Sequence, residues 1–104
     1  MSLNDAERRR TSDELRGNLE SSGLTSLQAA ADLGFSPERL QATLRVERAS
    51  DPVDVWLLRD YLEQAARDAG QSSTAYTVLT ERSRRAARGW LHLHEAPRHV
   101  FAPS

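Results

Sequence analysis

Apolar positions recur at helical spacing over most of the chain, and they divide it into short helices separated by capping signals. Leu15 and Leu19 form the inward stripe of a first helical region. Asn4 with Glu7 and Thr11 with Glu14 both fit the capping box, so this region reads either as one helix bent near Arg10 or as two. Ser21, Ser22 and Gly23 end it. Leu27, Ala30 and Leu33 make a second, shorter stripe, capped by Thr25 with Gln28 and closed by Gly34, where a left-handed residue ends a helix cheaply. Ser36 caps the next helix, Pro37 fits its first position, and Leu40 and Leu44 face inward one turn apart. Asp51 and Pro52 repeat that device. The helix they open runs to about Ala69, with Gly70 as its stop, and Val55, Leu58, Leu62, Ala65 and Ala69 share one face. Trp56, Leu57 and Tyr61 widen the apolar surface of this helix. It is expected to be the post on which the others pack, and its breadth also makes it the candidate contact for a homodimer.

Beyond the polar loop Gln71–Thr74 the pattern changes. Tyr76–Leu79 is short and β-prone, Glu81–Arg88 reads as a turn or two of helix, and Trp90–His94 alternates at period two. The two flanking pieces can pair as a short β-hairpin, with a continuous helix from Thr80 to Leu93 as the alternative. Trp90 is expected to anchor this segment by packing. The expected architecture is all-α in the main: a small helical bundle containing a helix-turn-helix, with a short C-terminal hairpin as an option. Residues 1–95 are expected to form one domain and residues 96–104, with two prolines, a loose tail.

Thr25–Arg45 supplies the parts of a helix-turn-helix. Ala30 is small enough to let a second helix approach, Gly34 makes the turn, Leu33, Phe35 and Leu40 flank it, and Ser36 caps the second helix. Thr43 stands where many such motifs carry a large apolar residue, and Leu44 is the neighbour that can replace it. An ordinary helical hairpin in a bundle is the other reading of the same stretch.

Composition narrows the chemistry. With 104 residues the chain suits one domain, and with no cysteine it has neither disulfides nor thiolate metal sites. No secretory signal pattern opens it and no apolar run is long enough to cross a bilayer, so the expectation is a cytoplasmic protein. All 14 basic residues are arginine, and the net charge is −1. A duplex-binding surface would therefore have to be local. Over Thr25–Arg48, Asp32, Glu38 and Glu47 offset Arg39, Arg45 and Arg48, so the reading unit itself is neutral. Arg8–Arg10 and Arg82, Arg84, Arg85 and Arg88 are the available basic clusters, each also readable as a solvated face. Asp54, Arg59 and Asp60 read as a solvated, partly paired helix face. His92, His94, Glu95 and His99 are the one group with ligand chemistry, and the plainer reading is three exposed histidines. No nucleophile triad, phosphate loop or paired carboxylates occur, so neither an enzyme nor a bound cofactor or metal is expected.

T-S-D-E-L-R-G-N-L-E-S-S-G-L-T at Thr11–Thr25, D-L-G-F-S-P-E-R-L at Asp32–Leu40 and D-V-W-L-L-R-D-Y-L at Asp54–Leu62 resemble one family of small bacterial proteins, domain-of-unknown-function family 2316 (DUF2316). The similarity runs from about Met1 to Leu79, with a weaker echo at Trp90–Leu91. It implies a regulator-like helix-turn-helix and brings no catalytic residues. The central stretch also resembles the phage-repressor type, in which the second helix enters the major groove with its N-terminal residues. By position, that resemblance makes Ser36, Pro37, Glu38, Arg39, Gln41 and Ala42 the residues nearest the bases, with Arg45 on the same outer face. Arg39 would pair with guanine and Gln41 with adenine. Pro37 and Glu38 depart from the pattern, the first lacking a donor and the second bringing negative charge to the groove. The expected function is thus a DNA-binding transcriptional regulator acting on double-stranded DNA through Ser36, Arg39, Gln41, Ala42 and Arg45. The alternative is a protein-interaction or assembly module of the same shape.

Overall fold

The computed structural model describes residues 3–101. Positions 1 and 2 of the lead-in and 102–104 of the tail lie outside the described residues. Five α-helices succeed one another: α1 (Asp5–Ser22), α2 (Ser26–Leu33), α3 (Pro37–Leu44), α4 (Pro52–Asp68) and α5 (Glu81–Ala87). Each begins where a side chain can take an orphan backbone N–H. Asn4, Thr25, Ser36, Asp51 and Thr80 accept from Glu7, Gln28, Arg39, Val53 and Ser83 respectively. Asn4–Glu7 and Thr25–Gln28 close as reciprocal capping boxes.

The first helical region is a single helix. Thr11 is not a cap: its hydroxyl donates back to the Glu7 carbonyl at 2.8 Å, and the side chain is buried. α4 is the central post, and α1 makes the most extensive packing on it. Leu15, Val55, Trp56, Leu58, Tyr61 and Leu62 are all but inaccessible to solvent between them, joined by Leu40 and Leu44 from α3 and Leu79 from the loop before α5. The breadth of α4 is thereby taken up within one chain. Trp56 and Tyr61 are buried and Leu57 is partly so, which removes Trp56 and Tyr61 from any surface where the expected homodimer contact could form.

Among the described residues there is no strand, and the hairpin between Tyr76–Leu79 and Trp90–His94 does not form. Each half is engaged elsewhere. Tyr76 and Leu79 bury their side chains in the core, and Thr77 donates through its backbone and hydroxyl to the Glu14 carboxylate at 3.0 and 2.8 Å. Helix α5 does not continue to Leu93. It ends at Ala87, whose carbonyl receives the Trp90 and Leu91 amides at 2.9 and 2.7 Å. Trp90 is 84% exposed, so it does not anchor the segment; partly buried Leu91 and Leu93 pack against the core instead. Further on, Ala96 is buried, Arg98 forks onto Asp68 at 3.2 and 2.6 Å, and His99 Nδ1 lies 2.6 Å from Asp32. Residues 88–101 thus return across α4 to α2 without regular structure.

The charged face expected on α4 is partly internal. Asp54 and Arg59 are buried. Arg59 donates to the Leu79 carbonyl at 3.1 Å, pairs with Asp60 and Glu63, and lies 4.6 Å over the Tyr76 ring. Arg84 from α5 completes the network on Asp60. A buried guanidinium is tolerable only when its donors are matched in this way.

Candidate nucleic-acid interface

Helices α2 and α3 meet at a turn written by three residues. Gly34 takes φ 72°, the Phe35 amide returns to the Ala30 carbonyl at 2.9 Å, and Ser36 receives the Arg39 amide at 3.1 Å. Ala29, Ala30, Phe35, Leu40 and Leu44 are buried. Leu27, expected in that stripe, is 64% exposed, because Ala29 and Ala30 carry the inward face of so short a helix. Thr43 is buried without penalty, its hydroxyl satisfied by the Arg39 carbonyl at 2.8 Å.

The outer face of α3 carries Pro37, Glu38 and Arg45 in the open and Gln41 and Ala42 half-buried. Ser36 is exposed but occupied as the cap. Arg39 is engaged within the fold. Its Nε and Nη2 grip both oxygens of Asp54 at 2.8 and 2.7 Å, and its guanidinium stacks 4.0 Å from the Phe35 ring centre. The side chain is 50% exposed yet tied to α4, and the Asp54 hydrogen bonds push its pKa up further. Asp54 was legible as an acidic residue in the first turn of α4. The sequence carried no signal that it would capture Arg39.

The last turn of α3 leads into a second device. Val46 takes φ 52°, a left-handed conformation seldom seen for a β-branched residue, while its side chain is buried. Its amide donates to Thr43 and the Glu47 amide to Ala42, the pairing that glycine usually supports at a helix end. This turn brings Arg45 and Arg48 beside Arg8 and Arg9 of α1. The four guanidiniums, with the carboxylates of Asp5 and Glu47, line a recess of about 420 Å³. Arg48 reaches Asp5 at 3.0 Å, Arg45 reaches Glu47 at 2.7 Å, and Arg8 is held by Asp5 and the Leu3 carbonyl. Arg9, Arg45 and Arg48 remain exposed. Two basic groups from distant parts of the sequence are joined here; the Arg82–Arg88 group lies on α5, apart from this recess.

The histidines separate. His92 and His94 lie exposed with ring centres 5.8 Å apart, whereas His99 is half-buried and shares one Asp32 oxygen with the Tyr61 hydroxyl, 2.5 Å away. Burial alone would raise the Asp32 pKa, but the bonds from Tyr61 and His99 draw it below the usual carboxylate range. His99 is therefore not the exposed residue its place near the C-terminus implied.

The fold and the recess define a small all-helical protein with a local basic surface at the end of its third helix. The chain belongs to the family described as "Uncharacterized protein conserved in bacteria (DUF2316)", whose model matches residues 1–91. No curated protein and no solved structure matches it. No helix among the described residues is long and apolar enough to cross a membrane.

Proposed function

We propose that this protein is a DNA-binding regulator of helix-turn-helix type, in which α3 is the helix offered to the major groove and the arginine recess at its end holds backbone phosphate. Support comes above all from one observation: Arg8, Arg9, Arg45 and Arg48 converge on a single recess, four guanidiniums against two carboxylates, in a chain whose net charge is −1. Contact with backbone phosphate supplies much of duplex affinity, and it asks for such a cluster beside the reading helix. Gln41 and Ala42 are the base-facing residues in this reading, Arg45 at the end of the helix belongs to the phosphate-holding recess, and Ser36 caps the helix that carries them. Arg39 is not among the base-facing residues, because its Nε and Nη2 donors are both held by Asp54 on α4. Glu38 on the outer face favours a cytosine amine as its partner.

The test is fluorescence anisotropy with a pool of genomic duplex fragments at low salt. Binding is expected to weaken as salt rises, and Arg45→Ala and Arg48→Ala should each lower the salt slope by about one. Absence of binding at about 20 mM salt, where attraction to phosphate is strongest, would overturn the proposal. The exposed Glu38 and the commitment of Arg39 to Asp54 favour a second reading, an assembly module that uses the same pair of helices against protein. That reading gains from the same negative result.

A further inference from the structure

The recess at the end of α3 has two walls from different parts of the chain, Arg8 and Arg9 of α1 on one side and Arg45 and Arg48 on the other. Its two carboxylates are placed differently between them. Glu47 is two residues from Arg45 and takes Nε and Nη2 of that side chain, both at 2.7 Å, so this pair stays on one wall. Asp5 crosses from wall to wall. Its Oδ1 accepts from Arg8 on its own helix and, at 3.0 Å, from Nη2 of Arg48, 43 positions along the chain. The Arg48 and Asp5 side chains are 77% and 67% exposed, and a contact through one shared oxygen between such groups is readily exchanged. Arg8 does not depend on it, because the Leu3 carbonyl also holds that guanidinium.

We infer that Asp5 is a built-in competitor for phosphate: in the free chain its carboxylate takes the place between Arg8 and Arg48 that a phosphate oxygen takes when the recess fills. This rests on the reading of the recess as phosphate-holding, but not on a duplex as the source of the phosphate. Three observations support it. An oxygen shared by guanidiniums of opposite walls is the contact a bridging phosphate oxygen makes. Asp5 engages Arg48 through one nitrogen, whereas a phosphate presents enough free oxygens to take two nitrogens of the fork. Asp5 is also not needed to start α1, because Asn4 and Glu7 close the capping box without it. An acid in a first turn suits the helix dipole in any orientation, but the dipole does not account for a carboxylate turned onto an arginine of another wall. The competitor has a consequence for selectivity. Every anion must displace it, so an extended polyanion that also lies along α3 is favoured over a small anion with the recess as its one contact.

Two probes test it on the full chain at low salt: inorganic pyrophosphate, followed by NMR of the arginine Nε–Hε groups, and the pool of genomic duplex fragments, followed by anisotropy. Asp5→Asn should bind each probe about three- to tenfold more tightly than wild type, with an unchanged far-ultraviolet circular dichroism spectrum. Glu20→Gln is the control for charge alone. It removes the same charge from an exposed position fifteen residues along α1, roughly 22 Å away and beyond the screening length at about 0.1 M salt, and should leave both affinities unchanged. In an Arg48→Ala background the gain from Asp5→Asn should shrink to about twofold or less, because the contact it relieves is gone. An Asp5→Asn variant that binds both probes like wild type overturns the inference, and so does a gain that Glu20→Gln matches or that survives Arg48→Ala in full. A gain for pyrophosphate with no duplex binding in any variant leaves the inference standing and removes the preceding proposal alone. Failure of wild type and Asp5→Asn to bind either probe overturns both.

Discussion

Asn18 shows how much one polar side chain can hold. It is fully buried on α1, its amide donates to the Thr74 carbonyl at 3.0 Å, and its oxygen accepts the Thr74 amide at 2.5 Å. The loop after α4 is thereby stitched to α1 as if by one rung of a sheet. Gly17 makes the approach feasible: a Cβ there would lie 2.9 Å from the Thr74 hydroxyl oxygen. Asn18→Ala leaves two backbone groups without partners and should lower stability by about 2–4 kcal/mol. Gly17→Ala should be destabilising despite the helix preference of alanine, which alone would give about 1 kcal/mol the other way. Urea denaturation of both variants measures this, and an Asn18→Ala midpoint equal to wild type would mean that Thr74 is satisfied by water. Neither role could be read from the sequence, where Asn18 is one more polar residue on a helix. The partner is 56 positions away and belongs to a loop with no pattern of its own.

At the scale of elements, local chemistry was legible and long-range pairing was not. The caps at Asn4, Thr25, Ser36 and Asp51, the stops at Gly23, Gly34 and Gly70, and the central place of α4 all result from short-range rules. The hairpin failed because period-two alternation over five residues cannot distinguish a strand from an extended segment that alternately touches a core. The α3 surface was legible as a helix face but not in its electrostatics, since Arg39 meets an acid 15 positions on. That pair leads to a test with two opposed readouts. Asp54→Asn should lower stability by about 1–2 kcal/mol, discounted for the half-exposed arginine. In the proposed regulator it should strengthen duplex binding, because it removes a negative charge and frees the Arg39 fork. Calorimetric melting checks the first effect and anisotropy the second; weaker binding would mean that α3 needs its tether to keep its angle.

For the molecule as a whole, three groups beside one another or beside the core contribute to the response to pH. Burial, first of all, raises the pKa of both Tyr61 and Tyr76, and the Asp32 carboxylate adds to the effect at Tyr61. The stability that their protonated forms contribute is complete below about pH 10 and is lost as pH climbs toward the raised folded-state values. Asp32 runs the other way. Its lowered pKa contributes stability that is complete above about pH 4 and fades as pH falls through the folded-state value. Melting temperature should therefore be level through neutrality and decline at both ends. Asp32→Asn should flatten the acid limb, while Tyr61→Phe should soften the alkaline one; an unchanged acid limb in Asp32→Asn would assign acid unfolding to other carboxylates. The same scale gives Val46 its meaning. A valine with φ 52° is held there only because the closed interior grips its methyl groups, against a backbone penalty of about 1–3 kcal/mol. A glycine in its place would turn the chain whether or not the interior had assembled. With valine, the turn that sets Arg45 and Arg48 against Arg8 and Arg9 depends on the closed interior, so the four-arginine recess belongs to the folded domain and to no isolated segment of it.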